Sequence, residues 1–123
     1  PGYLFRLLYH GMRGDKGMES LARLMYGGDA VPAEVIEVSR LIMDNYNPIM
    51  CALRVLTDSE LGRLAMPVLY IAGANDVTAD TKKAADRLRR LVPHAGIERI
   101  PDHGHVVYDT MDRVMPFLSQ QRP

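Results

Sequence analysis

The sequence predicts an α/β fold in which a helical segment over residues 1–56 precedes a β-α-β-α unit with two parallel strands over residues 57–123. Three observations predict it. Apolar residues recur at helical spacing through the first half of the chain. A short apolar run, Val68-Leu69-Tyr70-Ile71-Ala72, opens after Pro67 and stops at Gly73, which suits a strand buried on both faces. An amphipathic stretch and a second alternating run follow, and strand, helix, strand, helix in that order makes a crossover unit with parallel strands.

In the first half, Leu4, Leu7, Leu8 and Met12 repeat at helical spacing until Gly11 and Gly14 interrupt them. Met18, Leu21, Leu24 and Met25 then share a face, with Asp15 as the expected cap and Gly27-Gly28 as the stop. Pro32 suits a first helical turn, and Val35, Val38, Leu41 and Ile42 form an apolar stripe opposite Glu34, Glu37 and Arg40. Asn45-Tyr46-Asn47-Pro48 ends that helix, because the residue before proline is pushed out of the helical region.

The second half is more sharply punctuated. Thr57-Asp58-Ser59-Glu60 fits a capping box and predicts a short helix through Leu64. From Asp80 to Val92, Ala84, Ala85, Leu88, Leu91 and Val92 face one way, while Lys82, Lys83, Asp86, Arg87 and Arg90 face out. Pro93 stops this helix, and Ile97 and Ile100 alternate with charged neighbours in the second strand. Met111, Val114, Met115 and Leu118 define a last helix, in which Pro116 implies a late start, a kink or two short turns.

Composition excludes several classes of function. Lys plus Arg balance Asp plus Glu at 15 each, without a basic run, so no nucleic acid partner is expected. The single cysteine, Cys51, can neither staple the chain nor pair in a metal site, and it suits a reducing, cytoplasmic compartment. Charges or glycines interrupt every apolar run before the roughly 20 residues of a membrane span, so no membrane partner is expected. The chain opens on Pro1-Gly2 rather than methionine, and an upstream segment, which could include a signal peptide, is expected.

The chemistry concentrates just past the two strands. Asp76 sits in Gly73-Ala74-Asn75-Asp76, and His105 follows Pro101-Asp102-His103-Gly104. Ligands in open α/β sheets bind at the carboxyl ends of the strands, so both residues are aimed at one site. An acid and a histidine there can form the orienting half of a catalytic triad: the carboxylate fixes the imidazole tautomer, and the other ring nitrogen takes a nucleophile's proton. The blander readings are a turn-capping role for Asp76 and a satisfied loop histidine for His105. Asp80 is the competing carboxylate but fits better as a helix N-cap. His103-x-His105 lacks a clear third and fourth ligand for a metal, and His10 and His94 read as surface residues.

The stretches Met66-Pro-Val-Leu-Tyr-Ile-Ala-Gly-Ala-Asn-Asp76, Leu91-Val92-Pro93-His94-Ala95 and Ile100-Pro-Asp-His-Gly-His105 resemble the last two strands of α/β-hydrolases. Thr57-Asp58-Ser59-Glu60-Leu61 before Met66-Pro67 is similar to a subset of esterase-like members. The resemblance is good from about Tyr46 to Leu118 and weaker before it. It implies a C-terminal fragment of an α/β-hydrolase, with residues 1–56 as a cap-like segment and 57–123 as part of the core. It also implies Asp76 as triad acid, His105 as triad base, a small ester or related acyl substrate and no cofactor.

The chain departs from that family in one respect that decides activity. No Gly-x-Ser-x-Gly elbow occurs, since Ser20, Ser39, Ser59 and Ser119 all lack the flanking glycines, so the chain alone is expected to be inactive. Eight methionines serve mainly as core filler, although Met12, Met18, Met25 and Met43 would also suit a cap lining an apolar acyl pocket. The expected protein partner is the missing N-terminal half or a second copy, pairing through open sheet edges. A non-catalytic interaction module is the alternative reading. A nucleotide-binding domain finds little support, because no glycine-rich phosphate loop follows either strand.

Overall fold

The computed structural model of the chain describes residues 14–28, 31–45 and 54–120. In order, these form helices α1 (Gly14–Tyr26), α2 (Ala33–Asn45) and α3 (Asp58–Leu61), strand β1 (Leu69–Gly73), helix α4 (Thr81–Leu91), strand β2 (Gly96–Ile100) and helix α5 (Met111–Gln120). The expected helix around Leu4 to Met12 lies outside the described residues, as do His10 and Cys51.

β1 and β2 pair in parallel, with Leu69 opposite Gly96 and Gly73 opposite Ile100. The crossover helix α4 packs on them through its apolar stripe, with Ala85, Leu88, Val92 and Ile100 buried, while Ala22 of α1 is buried separately beside Met25 and Val106. Burying a valine or leucine side chain of this kind contributes about 1.5–3 kcal/mol. Asp80 caps α4 by accepting from the Lys83 amide at 2.8 Å. The capping box of α3 is also formed: Glu60 donates its amide to the Thr57 hydroxyl at 3.3 Å, and Thr57 returns its own amide to Glu60 Oε2 at 2.8 Å. Asp58 then meets Arg87 at 2.7 Å and Arg90 at 3.2 Å, tying α3 to α4.

Several sequence expectations are corrected. Helix α3 stops at Leu61 and gives way to a turn, one turn short of Leu64. Asp15 lies inside the first turn of α1 rather than capping it. Pro32 stands just outside α2, where its carbonyl accepts from Val35 and Ile36. In α2, Val38, Leu41 and Ile42 are exposed, whereas Val35, Ile36 and Ser39 are half-buried. Ala84 is exposed on α4. β1 is half-buried rather than covered on both faces, because the described sheet has only two strands and α4 shields one side. Helix α5 runs as one element through Pro116, with Met111, Met115 and Leu118 exposed. No helix among the described residues is long and apolar enough to cross a membrane.

Helix α1 does more than pack against α2. The Ser39 hydroxyl donates its proton to the Val35 carbonyl at 2.8 Å, so the Tyr26 hydroxyl must be the donor in the 2.7 Å Tyr26–Ser39 bond. Gly27, at φ 95°, ends α1 in the left-handed conformation, and the amides of Gly27 and Gly28 both return to the Arg23 carbonyl. That termination turns the carbonyls of Met25 and Tyr26 to the loop after β2, where they accept from Val106 and Gly104.

Candidate active site

Each strand is followed by a loop, and backbone bonds zip the two loops together. Ala74 donates its amide to Ile100 and Asn75 donates its amide to His103, both at 2.9 Å. The close approach requires glycine at Gly73, where a Cβ would run into the carbonyl oxygens of His103 and Gly104. Thr81, buried at the start of α4, donates its hydroxyl to the Gly73 carbonyl at 2.8 Å and fixes the far end of the acid loop.

The result brings Asp76 and His105 together, with Asp76 Oδ2 3.1 Å from His105 Nδ1. The Asp76 side chain keeps only 7% of its exposure while that of His105 keeps 49%, so the acid is enclosed and the imidazole reaches outward. Asp76 Oδ1 accepts from the Thr78 amide at 2.7 Å, the Thr78 hydroxyl at 2.8 Å and the Ala79 amide at 3.2 Å. Burial pushes the Asp76 carboxyl up. The amide and hydroxyl of Thr78, the His105 ring and the Ala79 amide outweigh it, and together they hold the carboxyl below its usual range. An ionised Asp76 can only accept, which favours the His105 tautomer that carries its proton on Nδ1 and, in the neutral ring, presents a bare lone pair at Nε2.

The other histidines have separate contacts. His103 packs at a tilt of 43° against Tyr108, with ring centroids 4.8 Å apart, and turns Nδ1 to the Pro101 carbonyl at 3.1 Å. His94 is exposed, with Nε2 3.0 Å from the Met66 carbonyl. Asp80 is occupied as the cap of α4. None of the serines the sequence singled out is drawn to His105 as a nucleophile: Ser39 is bonded to Tyr26 and Val35, and Ser59 and Ser119 lie exposed on α3 and α5.

Sequence reasoning missed three contributors. Thr78 joins the acid and the histidine, and its spacing two residues after an aspartate was a readable signal for a turn whose side chain returns to the carboxylate. The carbonyls of Met25 and Tyr26 accept the amides of Val106 and Gly104, bracketing His105 from α1. Backbone acceptors leave no mark in a sequence. A cavity of about 290 Å³ lies beside this loop, and its walls include Leu21, Ala22, Met25, Tyr26, Ile36 and Val106. Of the four methionines expected to suit an apolar pocket, Met25 does line it, whereas Met12 and the side chains of Met18 and Met43 lie outside what is described.

No protein-family model matches the chain. No curated protein matches it either. Solved structures do. A carboxylesterase of Bacillus subtilis, CesB (YbfK), superposes over 99% of this chain and 47% of its own, with a TM-score of 0.73 and 20% identity. A second Bacillus subtilis protein, assigned as a hydrolase without a named substrate, superposes over 93% of this chain and 43% of its own, with a TM-score of 0.58 and 22% identity. The chain therefore spans less than half the length of either protein. At this identity the likeness concerns fold alone: with its two parallel strands and crossover helix, the chain has the α/β-hydrolase fold over less than half the length of either protein.

Proposed function

We propose that this chain supplies the acid and the base of a serine-type hydrolase acting on carboxylic esters or related small acyl compounds. The observation that carries the reading is the 3.1 Å contact between an enclosed Asp76 and an outward-facing His105 at adjacent strand ends. Asp76 orients the ring and stabilises the imidazolium. His105 Nε2 takes the proton of a serine hydroxyl as that oxygen attacks the ester carbonyl, then returns it to the departing alcohol as the tetrahedral intermediate collapses to an acyl-enzyme. Water repeats the sequence and releases the acid. The serine and the oxyanion-hole amides come from outside this chain, which is inactive alone. Residues 1–56 act as a cap, and the apolar cavity beside Val106 supports a substrate whose acyl or alcohol part is apolar.

The test uses the complete protein that carries this chain. A panel of activated esters should be hydrolysed, and His105→Ala should remove that hydrolysis while the protein stays folded. Full activity in His105→Ala would end the reading.

A second reading is an interaction module that pairs with another polypeptide, either the missing half or a second copy. It is motivated by the free outer edges of β1 and β2 among the described residues and by exposed Val38, Leu41, Ile42, Met111 and Leu118. Light scattering on the isolated chain discriminates: a compact monomer that binds no apolar dye contradicts it.

A further inference from the structure

The Thr78 hydroxyl lies 2.8 Å from Asp76 Oδ1 and 2.8 Å from His105 Nδ1, closer to the ring than the 3.1 Å reached by Asp76 Oδ2. We propose that Thr78 is a positioning residue for the catalytic base, holding the His105 ring in its Nδ1-protonated tautomer through a hydroxyl that bridges acid and histidine. This rests on the triad reading above and adds a member to it.

The argument is one of proton counting. A threonine hydroxyl has one proton and two lone pairs. Asp76 Oδ1 can only accept, so the Thr78 proton points to it, and a lone pair then faces His105 Nδ1. Two acceptors, Thr78 Oγ1 and Asp76 Oδ2, therefore converge on Nδ1, and a proton there satisfies both. The Nε2-protonated tautomer would instead set the Nδ1 lone pair against Asp76 Oδ2, and Thr78 could answer it only by turning its proton away from Asp76 Oδ1.

Geometry gives this bridge weight. Half of the His105 side chain is exposed, so polar contacts at Nδ1 carry much of the burden of fixing the ring. The amides of Thr78 and Ala79 also bind Asp76 Oδ1, and they hold the carboxylate whatever side chain stands at position 78. The hydroxyl can thus be removed without releasing the acid.

The experiment compares Thr78→Val, Thr78→Ser and His105→Ala in the complete protein, with para-nitrophenyl acetate as substrate and imidazole nitrogen NMR as a second readout. Thr78→Val keeps the branched shape and loses the bridge. Its kcat should fall about tenfold, the factor carried by one such hydrogen bond, with KM unchanged. Thr78→Ser should restore kcat to within about twofold, because the hydroxyl is back. The NMR spectrum should show the Nδ1-protonated ring in the wild type and the serine variant, and a mixture of tautomers in the valine variant. Should valine fold poorly, Thr78→Ala carries the same expectation. Wild-type kcat and an unchanged tautomer in Thr78→Val would overturn the proposal. Undiminished hydrolysis in His105→Ala would instead overturn the triad reading, and the spectrum would still report whether Thr78 holds the ring.

Discussion

Gly104 donates its amide to the carbonyl of Tyr26 at 2.7 Å, which fastens the residue before His105 to the last residue of α1. Val106 repeats the bond on the other side by donating to Met25 at 3.0 Å. The histidine is thus suspended between two anchored neighbours. The contact demands glycine, because a Cβ on Gly104 would strike the Met25 carbonyl and the Gly27 amide.

Gly104→Ala should therefore destabilise the protein by about 2–4 kcal/mol, the sum of overpacking against backbone and a lost buried hydrogen bond. The neighbouring Gly28 has open space around it and provides the control, with an expected change within about 0.5 kcal/mol for Gly28→Ala. Urea unfolding midpoints for the two variants decide the matter. Equal midpoints would mean that α1 does not clamp the histidine loop.

Asp76→Asn keeps the size of the side chain and the amide contacts at one oxygen while removing the charge that faces His105. The asparagine amide can also turn its NH2 group toward Nδ1 and favour the opposite tautomer. The kcat for ester hydrolysis should drop by about 10²–10⁴-fold, the range attributed to general acid–base catalysis, with KM little changed. A loss expressed mainly in KM would place Asp76 in substrate binding instead.

The fold was legible where local chemistry decides it. Thr57 and Glu60 form the capping box, Asp80 caps α4, and Ala85, Leu88 and Val92 are buried as their spacing requires. The meeting of Asp76 and His105 was legible because each follows a strand end that parallel pairing brings together. Tertiary facts were less readable. The period-3.6 stripe of Val38, Leu41 and Ile42 identifies a helix face but cannot say what covers it: all three stay exposed, and the hydrogen bond to α1 comes from Ser39 to Tyr26. The contact of Gly27 with Gly104 joins residues 77 positions apart through backbone atoms, which every residue shares.

The lowered Asp76 carboxyl also makes a claim about acid stability. A group whose folded pKa lies below its unfolded value of about 3.9 binds fewer protons when folded. It adds stability that is fully present above roughly pH 4 and is lost as the pH falls through the folded value. Glu60 and Asp86 are lowered too, by Thr57 and Lys82 respectively, so the whole-protein curve alone does not isolate Asp76. The difference between wild type and Asp76→Asn does. It should be largest near neutral pH and should shrink on acidification below about pH 4, as read from urea midpoints across that range. A difference that stays constant with pH would mean that the Asp76 charge is not what the fold stabilises.

Thr81 connects the stability of α4 to the geometry of the site. Its side chain is buried, donates to the Gly73 carbonyl at 2.8 Å and receives Arg99 Nε at 3.4 Å. Thr81→Val preserves shape but leaves that carbonyl without its donor at the point where β1 hands over to the acid loop. The cost should be about 1–3 kcal/mol, typical of a buried group stripped of a partner. Thr81→Ser keeps the hydroxyl and should recover most of that loss. Because Thr81 touches neither Asp76 nor His105 in this arrangement, its effect on hydrolysis should come through the loop and act on kcat more weakly than Asp76→Asn. Parallel measurement of unfolding and kcat separates the two links. Loss of activity in Thr81→Val equal to that in Asp76→Asn, with stability intact, would mean that Thr81 acts in the chemistry rather than in holding the strand end.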